Sequence, residues 1–284
     1  FFARRILEMG RYLQYQVHDC DLRGDQAYLY ERDIFPLALV EVEVDKFGLK
    51  YNLLDSVKSV DYQIPPLRIM KIHVDIAKKG KIARFNDPID KIVVNQADKQ
   101  VLIDSGDEKD KILRLIQVVE EFDPDIILTR GGDSFLFPYL ARRALISGVL
   151  NNFVLSRDEI PVVAKYKRGR TYFSYGRTYY RAPMRRLFGR IHIDENNTFI
   201  LGECGIDGLI EIARTCRVPL HRASRSSIGS SMSSLQLYQA MKDDVLIPRN
   251  KSIPEAFKSA YELLVGDRGG FVYEPHVGIH DCVG

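Results

Sequence analysis

An alternation of short apolar runs with one strongly 3.6-periodic stretch predicts an α/β (α+β) fold for this chain. Two runs supply the strands. In Leu67–Ile76 (LRIMKIHVDI), Ile72, Val74 and Ile76 share one face while Lys71, His73 and Asp75 share the other; Asp125–Thr129 (DIILT) is the second. The helical signal is Glu108–Phe122, where Ile112, Leu115, Ile116, Val119 and Phe122 fall on one stripe.

In chain order, residues 1–64 carry apolar runs at Ile34–Val44 and Gly48–Leu54, broken by charges and Gly, and predict a small mixed or β-rich domain. The turn-rich Asp61-Tyr-Gln-Ile-Pro-Pro closes it. An α/β body over 65–205 follows: the strand at Leu67–Ile76, two short strands within Lys91–Asp104, the helix Glu108–Phe122 and the strand Asp125–Thr129. Arg130-Gly-Gly-Asp then leads into a helix, Phe135–Ser147, stopped by Gly148, and Arg190–Asp194 (RIHID) alternates as a strand. Residues 206–284 read as a helical connector, with helices at Ile206–Cys216, Ser230–Asp244 and Pro254–Val265 and an extended piece at Gly270–Gly278. The Ser-rich run Ser224–Ser234 fits helix-start chemistry better than a linker.

The 284 residues, 45% apolar and 28% charged, exclude a disordered tail, a fibre and a disulfide miniprotein. No stretch approaches the roughly 18 apolar residues of a membrane span, and FFARRILEMG lacks the apolar run of a signal peptide, so an intracellular protein without membrane contact is expected. Cys20, Cys204, Cys216 and Cys282 form no CxxC pair and read as buried thiols.

The net charge of +3 hides a strong asymmetry. Lys165–Arg190 (KYKRGRTYFSYGRTYYRAPMRRLFGR) holds nine Lys and Arg, seven Tyr and Phe and no acid, leaving −6 for the remainder. Cations neutralise phosphates and flat rings stack on unpaired bases for about 1–3 kcal/mol each, so the interleaving suits single-stranded nucleic acid. The alternative is a basic hairpin whose tyrosines pack on their own sheet. Under the first reading Lys165, Lys167, Arg168, Arg170, Arg177, Arg181, Arg185 and Arg186 contact the backbone, and Tyr172, Tyr175, Tyr179 and Tyr180 stack.

Five segments in series carry a resemblance. They are Pro65-Pro-Leu-Arg-Ile-Met-Lys-Ile-His-Val-Asp-Ile, the run from Asp123-Pro-Asp to Ala144, Gly189-Arg-Ile-His-Ile-Asp, the stretch from Glu211 through Ser224-Arg-Ser-Ser to Lys251, and Gly269-Gly-Phe-Val-Tyr-Glu-Pro-His-Val. In that order they resemble the first exonuclease motif, the second motif, the GRxxxD strand, the exonuclease-to-palm segment and the run-in to the polymerase core of family-B DNA polymerases. The flavour is that of a divergent archaeal group with eroded proofreading motifs. The resemblance implies a ribonuclease H-like exonuclease-type domain behind a small N-terminal domain, and a role in DNA replication or repair. It also implies DNA as partner, Mg²⁺ for the parent polymerase, and the remaining polymerase in cis or as a separate subunit.

The departures from the family pattern bear on chemistry. A two-metal exonuclease needs about four carboxylates around two cations about 4 Å apart. Against the family's Asp-Ile-Glu this chain has His73-Val74-Asp75; the second motif's Tyr-Asn falls on Arg130-Gly131 and its metal-binding Asp on Leu136. The stretch holding the third motif is deleted, since 16 residues separate Asp194 from Glu211, and Tyr238 and Lys242 keep only its spacing. Asp75 and Asp194 remain as weak metal candidates, and no cofactor is expected for this segment. A nuclease with a rearranged site would use Asp75, Asp194 and Asp133 or Asp207. His192 beside Asp194 reads as structural hydrogen bonding, and His276, His280, Asp281 and Cys282 as connector. The motif DFxSLYP, which the family places next, is not present, so the chain is expected to be one piece of a polymerase without nucleotidyl transfer of its own.

Overall fold

The computed structural model describes residues 2–12, 14–46, 48–59, 61–78, 80–97, 99–162, 166–167, 169–174, 177–249 and 259–261. Two compact units emerge, Phe1–Asp21 with Ile247–Gly284, and Leu22–Leu246. In the first, helix α1 (Phe2–Met9) precedes a short pairing of the two segments: the Asp19 N–H donates to the Ile247 carbonyl at 2.9 Å and the Arg249 N–H to Val17 at 3.0 Å. Apart from 259–261, the expected helix Pro254–Val265 lies outside the described residues. So do the extended piece Gly270–Gly278 and His276, His280, Asp281 and Cys282.

The second unit begins with α2 (Gly24–Glu31) and a ribbon of β1 (Val40–Asp45) and β2 (Gly48–Leu53), paired antiparallel. The sheet then forms from β3 (Ile69–Ile76), β4 (Ile89–Gln96), β5 (Lys99–Ile103), β6 (Ile126–Thr129) and, late in the chain, one further strand. Helix α3 (Glu108–Phe122) connects β5 to β6 and occupies the interval its apolar stripe predicts. Asp107 starts it by accepting the Asp110 N–H at 2.8 Å while Asp110 bonds back, and Asp123 in the left-handed region ends it.

After β6 a π-turn (Gly132–Leu136) precedes α4 (Phe137–Ile146), so the helix expected from Phe135 starts in a wider coil. The basic window forms β7 (Tyr166–Lys167), β8 (Arg170–Ser174), β9 (Arg177–Arg181) and β10 (Met184–Arg185); β8 pairs with β9 and β7 with β10. Then come β11 (Ile191–Asp194), α5 (Leu201–Thr215), α6 (Leu220–Ala223) and α7 (Ile228–Lys242). The central sheet runs β11-β6-β3-β4-β5, with β6 parallel to β3 and β11, and β4 and β5 antiparallel.

Each face of this sheet buries its own apolar set. Met70, Ile72, Val74, Ile92 and Val94 pack against Ile112, Leu115 and Val119 of α3 and Phe137 and Leu140 of α4. On the opposite face Ile126 and Ile193 pack under Leu209, Ile210 and Ala213 of α5. The three-layer arrangement leaves the polar stripe of β3 facing outward where the α5 cover ends: Lys71 and Asp75 are half-buried and His73 exposed.

Candidate functional site

Strand alternation sets Lys71, His73 and Asp75 on one face at the centre of the sheet. The Asp75 carboxylate is already engaged: Oδ1 lies 3.1 Å from His73 Nε2, and Oδ2 lies 3.5 Å from Nζ of Lys91, its register partner on β4. At the end of β11, Glu195 takes Lys71 Nζ at 2.6 Å and Arg130 Nε at 3.0 Å. Burial works against its charge, but those two cations hold the Glu195 carboxyl below the usual carboxylate range. Leu136 is 5% exposed and belongs to the core. Among the described residues no three His, Cys, Asp or Glu side chains converge as a metal site would require. Asp207 lies exposed on α5.

Behind that stripe is a fully buried polar network. Asp194 accepts the backbone N–H groups of Gly131 at 2.7 Å, Asp133 at 2.9 Å and Asn196 at 3.0 Å. Gly131 sits at φ 74°, a conformation that glycine adopts without cost, and this sends the chain into the π-turn. Gly132 follows for a different reason: a Cβ there would collide with Thr129 Oγ1 and stand 2.6 Å from His192 Nε2. Those two side chains bond each other at 2.8 Å.

Asp133, with no exposed side-chain surface, receives Arg225 Nε at 2.6 Å, Asn197 Nδ2 at 2.7 Å and the Arg185 N–H at 2.6 Å. Arg225 also donates to the His192 and His221 carbonyls at 3.0 and 2.8 Å. Burial, reinforced by the Arg225 charge, pushes the His192 imidazole down to about 4, so it is neutral at pH 7. His192 Nδ1 completes the set 2.8 Å from the Arg185 carbonyl. Asp133 and Asp194 are thus fully occupied by protein donors. Arg225 was not legible in the sequence: its partner is 92 residues away, and the surrounding serines point only to the Ser227 cap of α7.

Arg185 roots the basic ribbon in this network through both of its main-chain polar groups. In the β8–β9 hairpin Arg170 lies opposite Arg181, Tyr172 opposite Tyr179 and Ser174 opposite Arg177. By alternation Thr171, Phe173, Thr178 and Tyr180 share one face of the hairpin. Lys167 is on β7; Lys165, Arg168 and Tyr175 lie outside the described residues. Arg177 and Arg186 are exposed, Tyr180 is 68% and Phe173 73% exposed, and the Arg186 guanidinium rides 5.7 Å from the Phe188 ring centre. Arg190, the last cation of the window, is buried and spent on Asp123 at 2.9 Å and on two carbonyls.

The order of this sheet and its helices has counterparts among known proteins. A DNA polymerase of Archaeoglobus fulgidus is 22% identical over 94% of this chain and 38% of its own length. One of Pyrococcus horikoshii is 27% identical over 62% of this chain and 17% of its own. The solved family-B DNA polymerase of Pyrobaculum calidifontis superposes with a TM-score of 0.59 at 18% identity, covering 85% of this chain and 38% of that one. In sequence the chain is similar to archaeal DNA polymerases, and in fold to a solved family-B DNA polymerase.

No protein-family model matches it. The structural likeness establishes the fold, mixed α/β with a ribonuclease H-like body, in agreement with the expectation from the motifs. The chain spans 38% of the Archaeoglobus relative. No helix among the described residues is long and apolar enough to cross a membrane.

Proposed function

We propose that the chain serves as the DNA-contacting, exonuclease-like region of a family-B DNA polymerase in replication or repair, with a silent proofreading site. Residues 1–64, 65–205 and 206–284 would be its N-terminal domain, exonuclease-like domain and connector. The observation that carries the reading is the hairpin β8–β9, whose register sets Arg170 opposite Arg181, Tyr172 opposite Tyr179 and Ser174 opposite Arg177, with Arg177 and Tyr180 standing in solvent. Guanidinium groups on that ribbon would neutralise the phosphates of a single strand or a primer-template, and the tyrosines would stack on unpaired bases.

The silence of the proofreading site is supported by its donor set. A Mg²⁺ pair does not fit Asp75 with Lys91 beside it, an imidazole at His73, a glycine at Gly131 and an apolar Leu136. A rearranged site using Asp133 and Asp194 would first have to strip them of Arg225, Asn197 and four backbone donors. Nucleotidyl transfer and its Mg²⁺ would belong to the rest of the polymerase, in cis or as a separate subunit.

The test incubates a 3′-labelled single strand with the full chain and Mg²⁺ or Mn²⁺. Retention of the intact strand in a protein-bound band is the expected result. Degradation that disappears in Asp75→Ala, or no binding at moderate salt, contradicts the reading.

A further inference from the structure

Far from the chemistry just described, β1 alternates Val40, Val42 and Val44 with Glu41, Glu43 and Asp45. Its register with β2 sets Val40 against Leu53, Val42 against Tyr51 and Val44 against Leu49. One face of the ribbon is therefore wholly apolar and the other carries the acids. The apolar face is poorly covered: Val42 is 47%, Leu49 61% and Val44 77% exposed. At its base opens a groove of about 230 Å³, lined by Tyr28, Phe35 and Leu37 together with Val40, Val42 and Tyr51.

A two-stranded ribbon is marginal in water and gains from a third strand. Each strand is an edge of this sheet. Of the two, β2 contains Gly48 and Asn52, residues poor in strands, whereas β1 is β-branched at every second position. Among the described residues Glu41 and Glu43 pair with no cation, while Lys50, opposite Glu43 in register, turns to Asp45 at 3.6 Å. A strand laid along β1 would place alternate residues directly opposite these acids, where unlike charges stabilise and like charges destabilise. A second copy of β1 would set acids against acids. Its ribbon is also only about 20 Å long at about 3.4 Å per residue, small against the roughly 800 Å² per partner of a stable dimer.

We propose that the β1 edge and the apolar ribbon face form a docking site for an extended protein segment alternating apolar and basic residues, added as a third strand. The apolar residues of the segment extend the Val40–Val44 face above the groove, and its cations meet Glu41 and Glu43. This surface is independent of the DNA-contacting hairpin.

The full chain is titrated with fluorescein-labelled KVKVKVK, with KKKVVVK of the same composition, and with EVEVEVE, followed by anisotropy. The alternating basic peptide should bind about tenfold tighter than its rearranged counterpart. Glu41→Lys with Glu43→Lys should abolish that preference and confer binding of EVEVEVE, with an unchanged thermal midpoint. Should that double variant fold poorly, Val44→Lys, at an exposed position, should weaken KVKVKVK binding on an intact fold. Equal binding of both basic peptides, binding of neither, or a dimer in sedimentation that Val44→Lys dissolves overturns the proposal.

Discussion

The Asp194 carboxylate accepts the Gly131 N–H at 2.7 Å, and this contact fixes the point where β6 turns into the π-coil. The same carboxylate holds Asp133 and Asn196 by their backbone N–H groups. Asp194→Ala would leave the Gly131 and Asp133 donors buried without a partner, each costing about 1–3 kcal/mol, and release the part-buried Asn196 N–H. A loss of at least about 2 kcal/mol in urea unfolding is expected, with local exchange of the Gly131 and Asp133 amides.

Buried and surface charge pairs should separate cleanly here. Arg225→Ala strands the buried Asp133 carboxylate and is expected to cost about 3–5 kcal/mol. Arg130→Ala removes an exposed cation from Glu195, which keeps Lys71, and should cost no more than about 1 kcal/mol. Equilibrium unfolding of the two variants checks the contrast.

Acid should destabilise the 22–246 unit in two stages. His192 lies at about 4 and His221 at about 3, both lowered chiefly by burial, so below the ordinary histidine value of about 6.5 the unfolded chain takes up protons that the folded one does not. Stability falls first across that interval. The Tyr238 hydroxyl, then Lys242 and Arg217, hold the Asp33 carboxyl at about 2, and burial opposes but Arg222 and Arg214 prevail in lowering Asp25 and Asp55. Their contribution is present above the ordinary carboxylate value of about 4 and is lost as pH falls toward 2. Urea midpoints at pH 7.5, 5 and 3.5 should decrease in steps, with a smaller first step in His221→Asn.

Restoring an acid should not restore a nuclease. Leu136 packs in the main core, so Leu136→Asp would bury a carboxylate among apolar side chains. Lower thermal stability and no release of label from a 3′-tagged strand with Mg²⁺ are expected.

Much of this layout was legible because it is local. The stripe of Ile112, Leu115 and Val119 marks α3 without reference to partners, and the alternation about His73 marks β3. The motif series from Pro65 adds the ribonuclease H-like body, which the structural likeness bears out. Long-range chemistry was not legible: nothing near Arg225 names Asp133, and nothing near Arg190 shows that it is withdrawn from the basic surface by Asp123. Helices α1 and α2 were also missed. Helix α2 carries almost no apolar stripe and is held instead by polar bonds, Gln26 Nε2 to Ser234 Oγ at 3.1 Å and the Tyr30 hydroxyl to the Ser234 carbonyl at 3.0 Å.

On the proposed reading the basic ribbon is the DNA-contacting surface. The most direct test is the salt dependence of single-strand affinity for the wild-type chain and for Arg170→Gln, Arg177→Gln, Arg181→Gln and Arg186→Gln combined. Each phosphate contact contributes about 0.7 to the slope of log affinity against log salt for single strands. The quadruple variant should bind more weakly with a slope shallower by about 2–3. Unchanged affinity and slope in a folded variant would contradict a DNA-contacting role for the ribbon.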